Sequence, residues 1–417
     1  MACDGLRDKC NCSKCRDPSS SQKNFSTTEL PAGLKLSNIV PDAEGIEITF
    51  KRDIPRLADD RGQHVMRYSW DDVKQYMIPM RDLREPVLGK YFQAGLVHWD
   101  KDIMTKRAQS VDYNDYVKGG DAMWQVVREL SRTGLAFLHN VPEDPDSIEH
   151  ITTTIAPIQS TFYGRTFDVR AKPNAENVAY TSASLGLHQD LLYLLSPPRI
   201  QILHYMANSC SGGESLFSDT DRVGRMLNYL AHHSSIVRSL SKHAIAYGYN
   251  ANGSYYQRLR KVLCQTDAGE YLGMWWSPPF QSPKGSPNVN RTVVRSHQLL
   301  EKLLNDPDAV YERKMKPGEC VLFDNRRVAH GRKAFNAEDG GSRWLRGAYI
   351  SDEDFKSRLH FMPEEDAETK EADSTVYFKT GMEIDIPGFA QAQSWVQEDS
   401  IASVELRQAL QAEEILR

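Results

Sequence analysis

The sequence has 417 residues, of which 40% are hydrophobic and 26% charged, and its 51 basic and 56 acidic residues give a formal net charge of −5. This composition excludes a disordered or collagen-like chain and is typical of a globular protein with one sizeable domain and a smaller one. No run approaches the roughly 18 apolar residues of a membrane helix, and the N-terminus lacks the apolar segment of a secretory signal. We therefore expect an intracellular, cytoplasmic protein, and its mixed charges predict no nucleic-acid partner.

Four of the seven cysteines, Cys3, Cys10, Cys12 and Cys15, fall within the first fifteen residues. In a reducing compartment, the C-x-C-x-x-C spacing of the last three favours thiolate ligation of zinc over disulfide formation. Such a site needs a fourth ligand, which the spacing does not identify. The remaining cysteines are scattered singly and predict no disulfide framework.

Residues 1–88 are predicted to form a small separate domain. The runs 33–40 and 45–51 resemble strands, and the SWDD sequence predicts a helix from Ser69, with an N-cap and acidic residues in its first turn. A domain of this size buries little core, so a bound zinc ion would supply part of its stability.

Residues 89–372 are predicted to form the second domain. Asp121 is expected to cap a helix with apolar residues at helical spacing, which Gly134 ends before the strand-like LAFLHNV, and a second helix is expected near 145–158. After Thr161 short strands are predicted, in LGLHQDLLY, IQILHYM, SLFSD, ECVLFDN, RVAHGRKAF and RWLRGAYIS. Helices followed by strands indicate an α+β fold with an antiparallel core, either a sandwich or an open barrel. The third region, 373–417, is predicted to be a helical extension.

The most informative motif is His188-Gln189-Asp190, combined with His330 far downstream. Residues two apart in a strand point to the same face, so a strand would present His188 and Asp190 together. A second histidine completes the two-His-one-carboxylate pattern of Fe(II) sites, which leaves coordination positions for a chelating cosubstrate and O2. The H-x-D motif alone is weak, because a strand histidine is more often a hydrogen-bonded residue than a ligand.

An arginine that could hold the cosubstrate stands thirteen residues after His330, at Arg343. Its guanidinium has the geometry to bind a carboxylate through two parallel hydrogen bonds. Arg332 and Arg346 are competing candidates, and a surface ion pair is the alternative explanation for each.

Several separated segments resemble the γ-butyrobetaine/trimethyllysine hydroxylase branch of the TauD-like Fe(II)/2-oxoglutarate dioxygenases. They are NVAYTSASLGLHQDLLYLLSPPRIQILHYMANSCSGGES, VLFDNRRVAHGRKAF, SRWLRGAYIS and the N-terminal LRDKCNCSKC. The resemblance covers nearly the whole chain, with the motifs in the same order and spacing. It implies a double-stranded β-helix (jelly roll) with flanking helices, preceded by a small zinc-binding domain. It also implies a homodimer.

The resemblance assigns roles to individual residues. It makes His188, Asp190 and His330 the iron ligands, Arg343 the partner of 2-oxoglutarate, and Cys10, Cys12, Cys15 and His64 the zinc ligands. The implied cofactors are Fe(II), 2-oxoglutarate as cosubstrate, O2 and zinc, with ascorbate as reductant.

The implied substrate pocket follows the family in part. An aromatic cage for a trimethylammonium group corresponds to Tyr163, Phe167, Tyr180 and Tyr349, with Phe167 standing where the butyrobetaine enzyme has tryptophan. Asn177 matches one of two asparagines that hold the substrate carboxylate. The segment expected to provide the other is GMWWSPPFQSP, where Trp275 and Trp276 are candidate substrate contacts and no asparagine is present.

The expected activity is therefore oxidation of an unactivated C–H bond in a small acid that bears an amine or quaternary ammonium group, with release of succinate and CO2. Hydroxylation, desaturation and cyclisation all remain open. One alternative is γ-butyrobetaine or trimethyllysine hydroxylation in carnitine synthesis, which the GMWWSPPF segment argues against. Another is a zinc-dependent interaction protein with a degenerate iron site, which the complete set of four iron and cosubstrate residues argues against.

Overall fold

A computed structural model of the protein describes residues 3–70, 72–73, 95–170, 182–285, 289–336 and 341–363. The chain divides into two compact units, Met1–Pro86 and Val87–Arg417. In the described part of the chain, no helix is both long and apolar enough to cross a bilayer. The helical extension expected in 373–417 lies outside the described residues, as does most of the helix expected from Ser69.

The first unit contains a three-stranded antiparallel sheet in the order β1-β2-β3. Its elements are the helix Cys3–Asp8, the 3-10 turn Thr27–Glu29, and the strands β1 (Lys35–Pro41), β2 (Gly45–Lys51) and β3 (Gln63–Ser69). Alternate residues of β3 are buried, namely His64, Met66 and Tyr68, as expected for a strand with one face on the core. This alternation turns His64 inward, and the two strands expected from sequence are confirmed.

The second unit combines helices and short strands. Its described helices are Lys101–Arg107, Tyr113–Tyr116, Asp121–Arg132, Ser147–Ile155, Thr220–Leu230, Ser235–Lys242, Arg291–Leu304 and Asp352–His360, with a 3-10 turn at Pro278–Phe280. Its described strands are β4 (Ser110–Asp112), β5 (Leu135–His139), β6 (Thr166–Arg170), β7 (Leu185–His188), β8 (Ile200–Asn208), β9 (Ser211–Gly212), β10 (Ser215–Asp219), β11 (Ala244–Ala251), β12 (Ser254–Lys261), β13 (Leu263–Gln265), β14 (Tyr271–Met274), β15 (Tyr311–Arg313), β16 (Cys320–Asp324), β17 (Val328–Arg332), β18 (Phe335–Asn336) and β19 (Arg343–Ile350).

Two larger sheets organise this unit. One has four antiparallel strands in the order β15-β10-β17-β7, and the other has six strands in the order β4-β5-β16-β8-β19-β6. The α+β class expected from sequence is confirmed, and the core is antiparallel except for the parallel pair β4–β5. Side chains from both sheets share one apolar cluster, in which Phe217 of β10 meets Phe137 of β5 edge to face with centroids 6.3 Å apart. The two sheets therefore face each other across a common core.

Helices cover the outside of the six-stranded sheet. In Asp121–Arg132, Met123, Val126, Val127 and Leu130 are buried at helical spacing and pack with residues of the helices Ser147–Ile155 and Asp352–His360 and of the sheet, such as Ile202. The strand β8 is therefore buried on both faces, and nearly all of its residues are buried, including the polar Gln201 and His204.

The helix Asp121–Arg132 begins one residue earlier than expected. Gly120, with φ 67°, is the N-cap, so Asp121 is the first helical residue instead of the cap. A carboxylate there still interacts favourably with the helix dipole. Gly134 does follow the helix, at φ 78°, and a Cβ there would lie 2.9 Å from Val328 Cγ2, so glycine suits both the turn and the packing.

The sequence interpretation missed the helices that follow Thr161, where only strands were expected. The helix Thr220–Leu230 begins immediately after β10, and Asp219 caps it by accepting hydrogen bonds from the backbone N–H groups of Asp221 and Arg222. Its buried residues include Val223, Met226 and Leu227. The sequence thus contains the pattern that predicts this helix, an acidic N-cap followed by apolar residues at helical spacing. The pattern was missed because the N-cap is also the last residue of the strand β10.

Candidate active site and metal clusters

His188, Asp190 and His330 meet at one point, with a ligand atom of each within 4.8 Å of the others. His188 is the last residue of β7 and lies opposite His330 of β17 in the strand register. The two imidazole centroids are 4.2 Å apart, and His188 Nε2 lies 3.2 Å from Asp190 Oδ1. His188 and His330, 142 positions apart in sequence, are therefore brought together by one antiparallel strand pair.

The way in which Asp190 reaches this cluster differs from the sequence argument. The strand β7 ends at His188, so Asp190 does not share a strand face with it. The chain turns instead, and Leu191 adopts φ 59°, a left-handed conformation that costs a non-glycine residue about 1–2 kcal/mol. The expected strand alternation was wrong, although the two residues do come together.

The ionisation of these groups suits a divalent metal. Burial, reinforced by the charge of His188, lowers the pKa of His330 to about 3, so its imidazole is neutral near pH 7. Burial acts to raise the pKa of Asp190, but a hydrogen bond with His188 and electrostatic interactions with both histidines outweigh it and hold the pKa well below the usual value. A neutral imidazole and an ionised carboxylate are the forms that bind metal, so the donor set fits iron.

A cavity opens beside the three residues, and both larger sheets line it. Gln201, Leu203 and Tyr205 of β8 form one wall, and Ser215 and Phe217 of β10 contribute to another. Among the described lining residues, Asp190 carries the only carboxylate. The cavity is therefore mostly apolar, with a few polar groups at defined positions, as in many small-molecule sites.

Three of the four predicted cage residues, Tyr163, Phe167 and Tyr349, line this cavity. The Phe167 ring stacks on Tyr349 with centroids 4.9 Å apart and an interplanar angle of 22°. Gly347 makes room for this arrangement, since a Cβ there would lie 2.3 Å from Phe167 Cζ. The Tyr349 hydroxyl donates a hydrogen bond of 2.9 Å to Asp190 Oδ2, so this ring also orients the carboxylate.

Besides Tyr205 and Phe217, the sequence interpretation missed two more aromatic residues on the cavity wall, Tyr193 and Phe280. Their ring centroids are 5.8 Å apart in an edge-to-face arrangement. Tyr193 stands three residues after Asp190, and Phe280 lies in the GMWWSPPF segment that the sequence interpretation considered only for its tryptophans. Both were therefore within segments already singled out, but only the fold reveals which rings face the cavity.

The three candidate arginines are distinguished by their surroundings. Arg343 and Arg332 line the cavity, whereas Arg346 does not, and its guanidinium is bound to Asp168 at 3.1 Å. Arg343 Nε is buried with no hydrogen-bond partner among the described residues, and burial lowers the pKa of this guanidinium. Arg332 Nη2 donates to the Ala183 carbonyl at 2.6 Å.

The tryptophans expected to contact substrate lie elsewhere, since neither is among the described residues that line the cavity. The Trp276 side chain is buried in the core, where its ring packs against His297 and its Nε1 donates to Glu301. Trp275 packs at the edge of the same core under the Arg260 guanidinium. Asn177 and Tyr180 fall outside the described residues.

A second cluster of potential metal-binding side chains lies in the first unit, where Cys10, Cys12, Cys15 and His64 have ligand atoms within 4.8 Å of one another. The three Sγ atoms lie 3.3 Å, 3.6 Å and 3.6 Å from His64 Nε2. His64 Nδ1 donates to the Leu57 carbonyl at 3.0 Å, which directs Nε2 toward the sulfurs. Three sulfurs and one imidazole are a donor set consistent with structural zinc.

Two thiols of this cluster interact in a way that shifts their pKa values in opposite directions. A hydrogen bond with Cys10 lowers the pKa of Cys15 to about 4, and the same interaction raises that of Cys10. The pair therefore retains one proton, which metal binding would displace.

This chain is similar to several known proteins. The family model "Taurine catabolism dioxygenase TauD, TfdA family" matches residues 99–349. Dioxygenase str8 of Strobilurus tenacellus is 30% identical, over 83% of this chain and 81% of that protein. Gamma-butyrobetaine dioxygenase of Homo sapiens is 24% identical, over 86% of this chain and 89% of that protein. A solved structure of PvcB, an Fe, alpha-ketoglutarate dependent oxygenase from an isonitrile synthetic pathway, aligns with a TM-score of 0.43 and 19% identity, covering 58% of this chain and 83% of that one. By the family match and the relative at 30% identity, this chain belongs to the TauD/TfdA family of Fe(II)/2-oxoglutarate-dependent dioxygenases.

Proposed function

We propose that this dioxygenase oxidises an unactivated C–H bond of a small acid that carries an amine or quaternary ammonium group. Hydroxylation is the simplest outcome, and desaturation or cyclisation would use the same site. The observation that carries the proposal is that three groups line one cavity. They are the metal triad of His188, Asp190 and His330, the guanidinium of Arg343, and an aromatic wall. Substrate and cosubstrate would thus be held beside the same metal.

In this proposal His188, Asp190 and His330 hold iron, and the two facing sheets are those of a double-stranded β-helix. Iron supplies the oxidation chemistry, which couples the decarboxylation of 2-oxoglutarate to succinate with oxygen use, and ascorbate keeps the metal reduced. The chain supplies binding and orientation, and its apolar walls exclude water from the reacting carbon. The domain bounds 1–88, 89–372 and 373–417 and the homodimer stay predictions.

The cosubstrate end of the cavity is assigned to Arg343. Arg343 is half-buried with its Nε atom buried, and its guanidinium lies beside the rings of Phe335 and Tyr205, with centroids 5.5 Å and 5.8 Å away. A cation on this mostly apolar wall, where Asp190 carries the only carboxylate among the described lining residues, favours an anionic group from a bound molecule. The distal carboxylate of 2-oxoglutarate is the group that the proposed reaction provides.

We expect Arg343→Met to weaken 2-oxoglutarate binding by at least about 30-fold, because removing one partner of a buried charge pair costs about 2–5 kcal/mol. Titration of 2-oxoglutarate into Mn²⁺-loaded protein measures the affinity without turnover. The matched control is Arg346→Met, since Arg346 is bound to Asp168 outside the cavity. Unchanged affinity in Arg343→Met, with a loss in Arg332→Met, would transfer the role to Arg332.

The substrate end is assigned to the aromatic wall formed by Tyr163, Phe167, Tyr193, Phe280 and Tyr349. Aromatic ring faces carry a negative quadrupole that attracts cations, and ammonium groups are bound in this way in aromatic cages. Tyr349 is already hydrogen-bonded to Asp190, so a cation at this wall would lie close to the metal triad. This proximity would direct oxidation to carbons near the charged nitrogen.

We expect ammonium-bearing acids to be preferred over neutral isosteres by roughly 30-fold, since a desolvated cation–π contact is worth about 2 kcal/mol. A panel of amines, betaines and neutral analogues, assayed by succinate formation with iron, 2-oxoglutarate and ascorbate, tests this. Tyr163→Leu and Phe167→Leu should reduce the preference, whereas Trp275→Leu, which alters a ring outside the described cavity wall, should keep it. A best substrate that is neutral or anionic at this end would refute the assignment.

The second candidate is γ-butyrobetaine or trimethyllysine hydroxylation. The observation in its favour is the 24% identity to human gamma-butyrobetaine dioxygenase over 86% of this chain. The absence of asparagine from the GMWWSPPF segment argues against the same carboxylate contact. Both compounds belong in the substrate panel, and turnover of either at the highest rate would establish this candidate.

A further inference from the structure

Asn325 is a buried residue in contact with the metal triad to which no role has been assigned. It directly follows β16 and is fully buried. Its side chain faces Asp190, in the turn that follows β7. A primary amide has one acceptor and two N–H donors. In Asn325 both the oxygen and the nitrogen form hydrogen bonds with main-chain atoms.

The Asn325 amide holds the backbone on both sides of Asp190. Its Oδ1 accepts a hydrogen bond from the Asp190 N–H at 2.7 Å, and its Nδ2 donates to the Asp190 carbonyl at 3.0 Å. The same Nδ2 donates to the Pro198 carbonyl at 3.2 Å. One side chain therefore fixes the peptide groups before and after a residue of the metal triad, and ties that residue to the far end of its loop.

The Asp190 turn needs such support, because Leu191 beside it has φ 59°. A β-strand continuing past His188 would satisfy the Asp190 backbone through its neighbours, but the turn removes it from the strand ladder. The Asn325 amide replaces those ladder bonds. Preceding Asp190, Gln189 is likewise held by hydrogen bonds in both directions with the Trp276 backbone, at 2.8 Å and 2.9 Å.

We propose that Asn325 is a positioning residue for the metal site, which sets the direction of the Asp190 carboxylate by fixing its backbone. The inference rests on the proposed role of Asp190 as an iron ligand. Tyr349 and His188 contact the carboxylate itself, whereas Asn325 acts only through the main chain. Partners that orient ligands in this way are typically worth 10- to 100-fold in metal affinity or activity.

The same loop offers a matched control in Arg260. Its guanidinium donates to the carbonyls of Leu192, Leu194 and Leu195, so it also orders this loop but makes none of the described hydrogen bonds to Asp190. Substitution of Arg260 by glutamine would loosen the loop without releasing the Asp190 peptide groups. Comparison with Asn325 variants therefore separates the orientation of Asp190 from the order of the loop.

The test measures Mn²⁺ affinity of the full-length, zinc-loaded protein, because Mn²⁺ prefers oxygen and nitrogen donors to the thiolate cluster. We expect Asn325→Ala to raise the Mn²⁺ dissociation constant by about 10- to 100-fold and Arg260→Gln to leave it unchanged. Asn325→Asp keeps the size and the acceptor but loses both donated bonds, so it should also weaken binding, and it supplies the measurement if Asn325→Ala does not fold.

Wild-type affinity in a folded Asn325 variant would overturn the inference, as would an equal loss in Arg260→Gln. Thermal unfolding of each variant without added Mn²⁺ shows whether the change is confined to the metal site. If the wild-type protein itself failed to bind Mn²⁺ at the His188, Asp190 and His330 site, the proposed iron site would fail instead. The two failures are thus distinguishable.

Discussion

Replacing His330 by alanine is expected to abolish iron-dependent turnover. The residue supplies one of three groups that meet at the triad, and its neutral imidazole, with a pKa of about 3, has its lone pair available for a metal. Loss of an outer partner of a metal ligand already costs about 10- to 100-fold, so loss of a ligand should cost more. Succinate formation and bound iron per chain, measured on the same preparation, should fall together.

The control for this variant is His150→Ala. His150 is an exposed histidine on the helix Ser147–Ile155 and belongs to neither described metal cluster. It should keep wild-type turnover and iron content. Iron bound at full stoichiometry in His330→Ala, with turnover retained, would contradict the assignment of this histidine as a ligand.

Replacing Cys12 by serine is expected to destabilise the first unit while sparing the chemistry of the second. Structural zinc in small domains contributes about 10–16 kcal/mol of binding free energy, which is available only to the folded state. Even a loss of about 2 kcal/mol lowers the melting temperature of a domain of about 60–100 residues by roughly 8–16 °C. Metal analysis should show zinc lost from the variant, and thermal unfolding should show an earlier transition.

Cys264→Ser is the matched control for the zinc prediction, since Cys264 is a free cysteine outside the cluster. Its zinc content and melting temperature should equal those of the wild type. A Cys12→Ser protein with one equivalent of zinc and an unchanged transition would show that the cluster is not a structural zinc site.

The sequence pointed to the residues that form both clusters but not to the backbone that presents them. His188 and Asp190 were paired by strand alternation, whereas a turn with Leu191 at φ 59° brings them together. Residue type and spacing are read directly from the sequence, so they pointed to the same residues even though the predicted strand conformation was wrong. In this turn Asp190 is hydrogen-bonded to Asn325, which is 135 positions away and which no local pattern reveals.

The cavity wall was predictable only in part for a similar reason. Motif positions pointed to Tyr163, Phe167 and Tyr349, all of which line the cavity. They did not distinguish Phe280, which also lines it, from Trp276, which lies in the core. Both belong to one apolar segment, and the direction of each side chain depends on how the 3-10 turn Pro278–Phe280 is placed. Hydrophobic character alone does not give that direction.

The two metal clusters use different donors, and this difference affects how the protein has to be prepared. The first offers thiolates, which select zinc, whereas the second offers only imidazole and carboxylate. At such nitrogen and oxygen donors Zn²⁺ generally binds more tightly than Fe²⁺. With zinc at the first cluster and iron at the second, as proposed above, zinc beyond one equivalent per chain would compete with iron for the second cluster, so buffers should not supply zinc in excess of that amount.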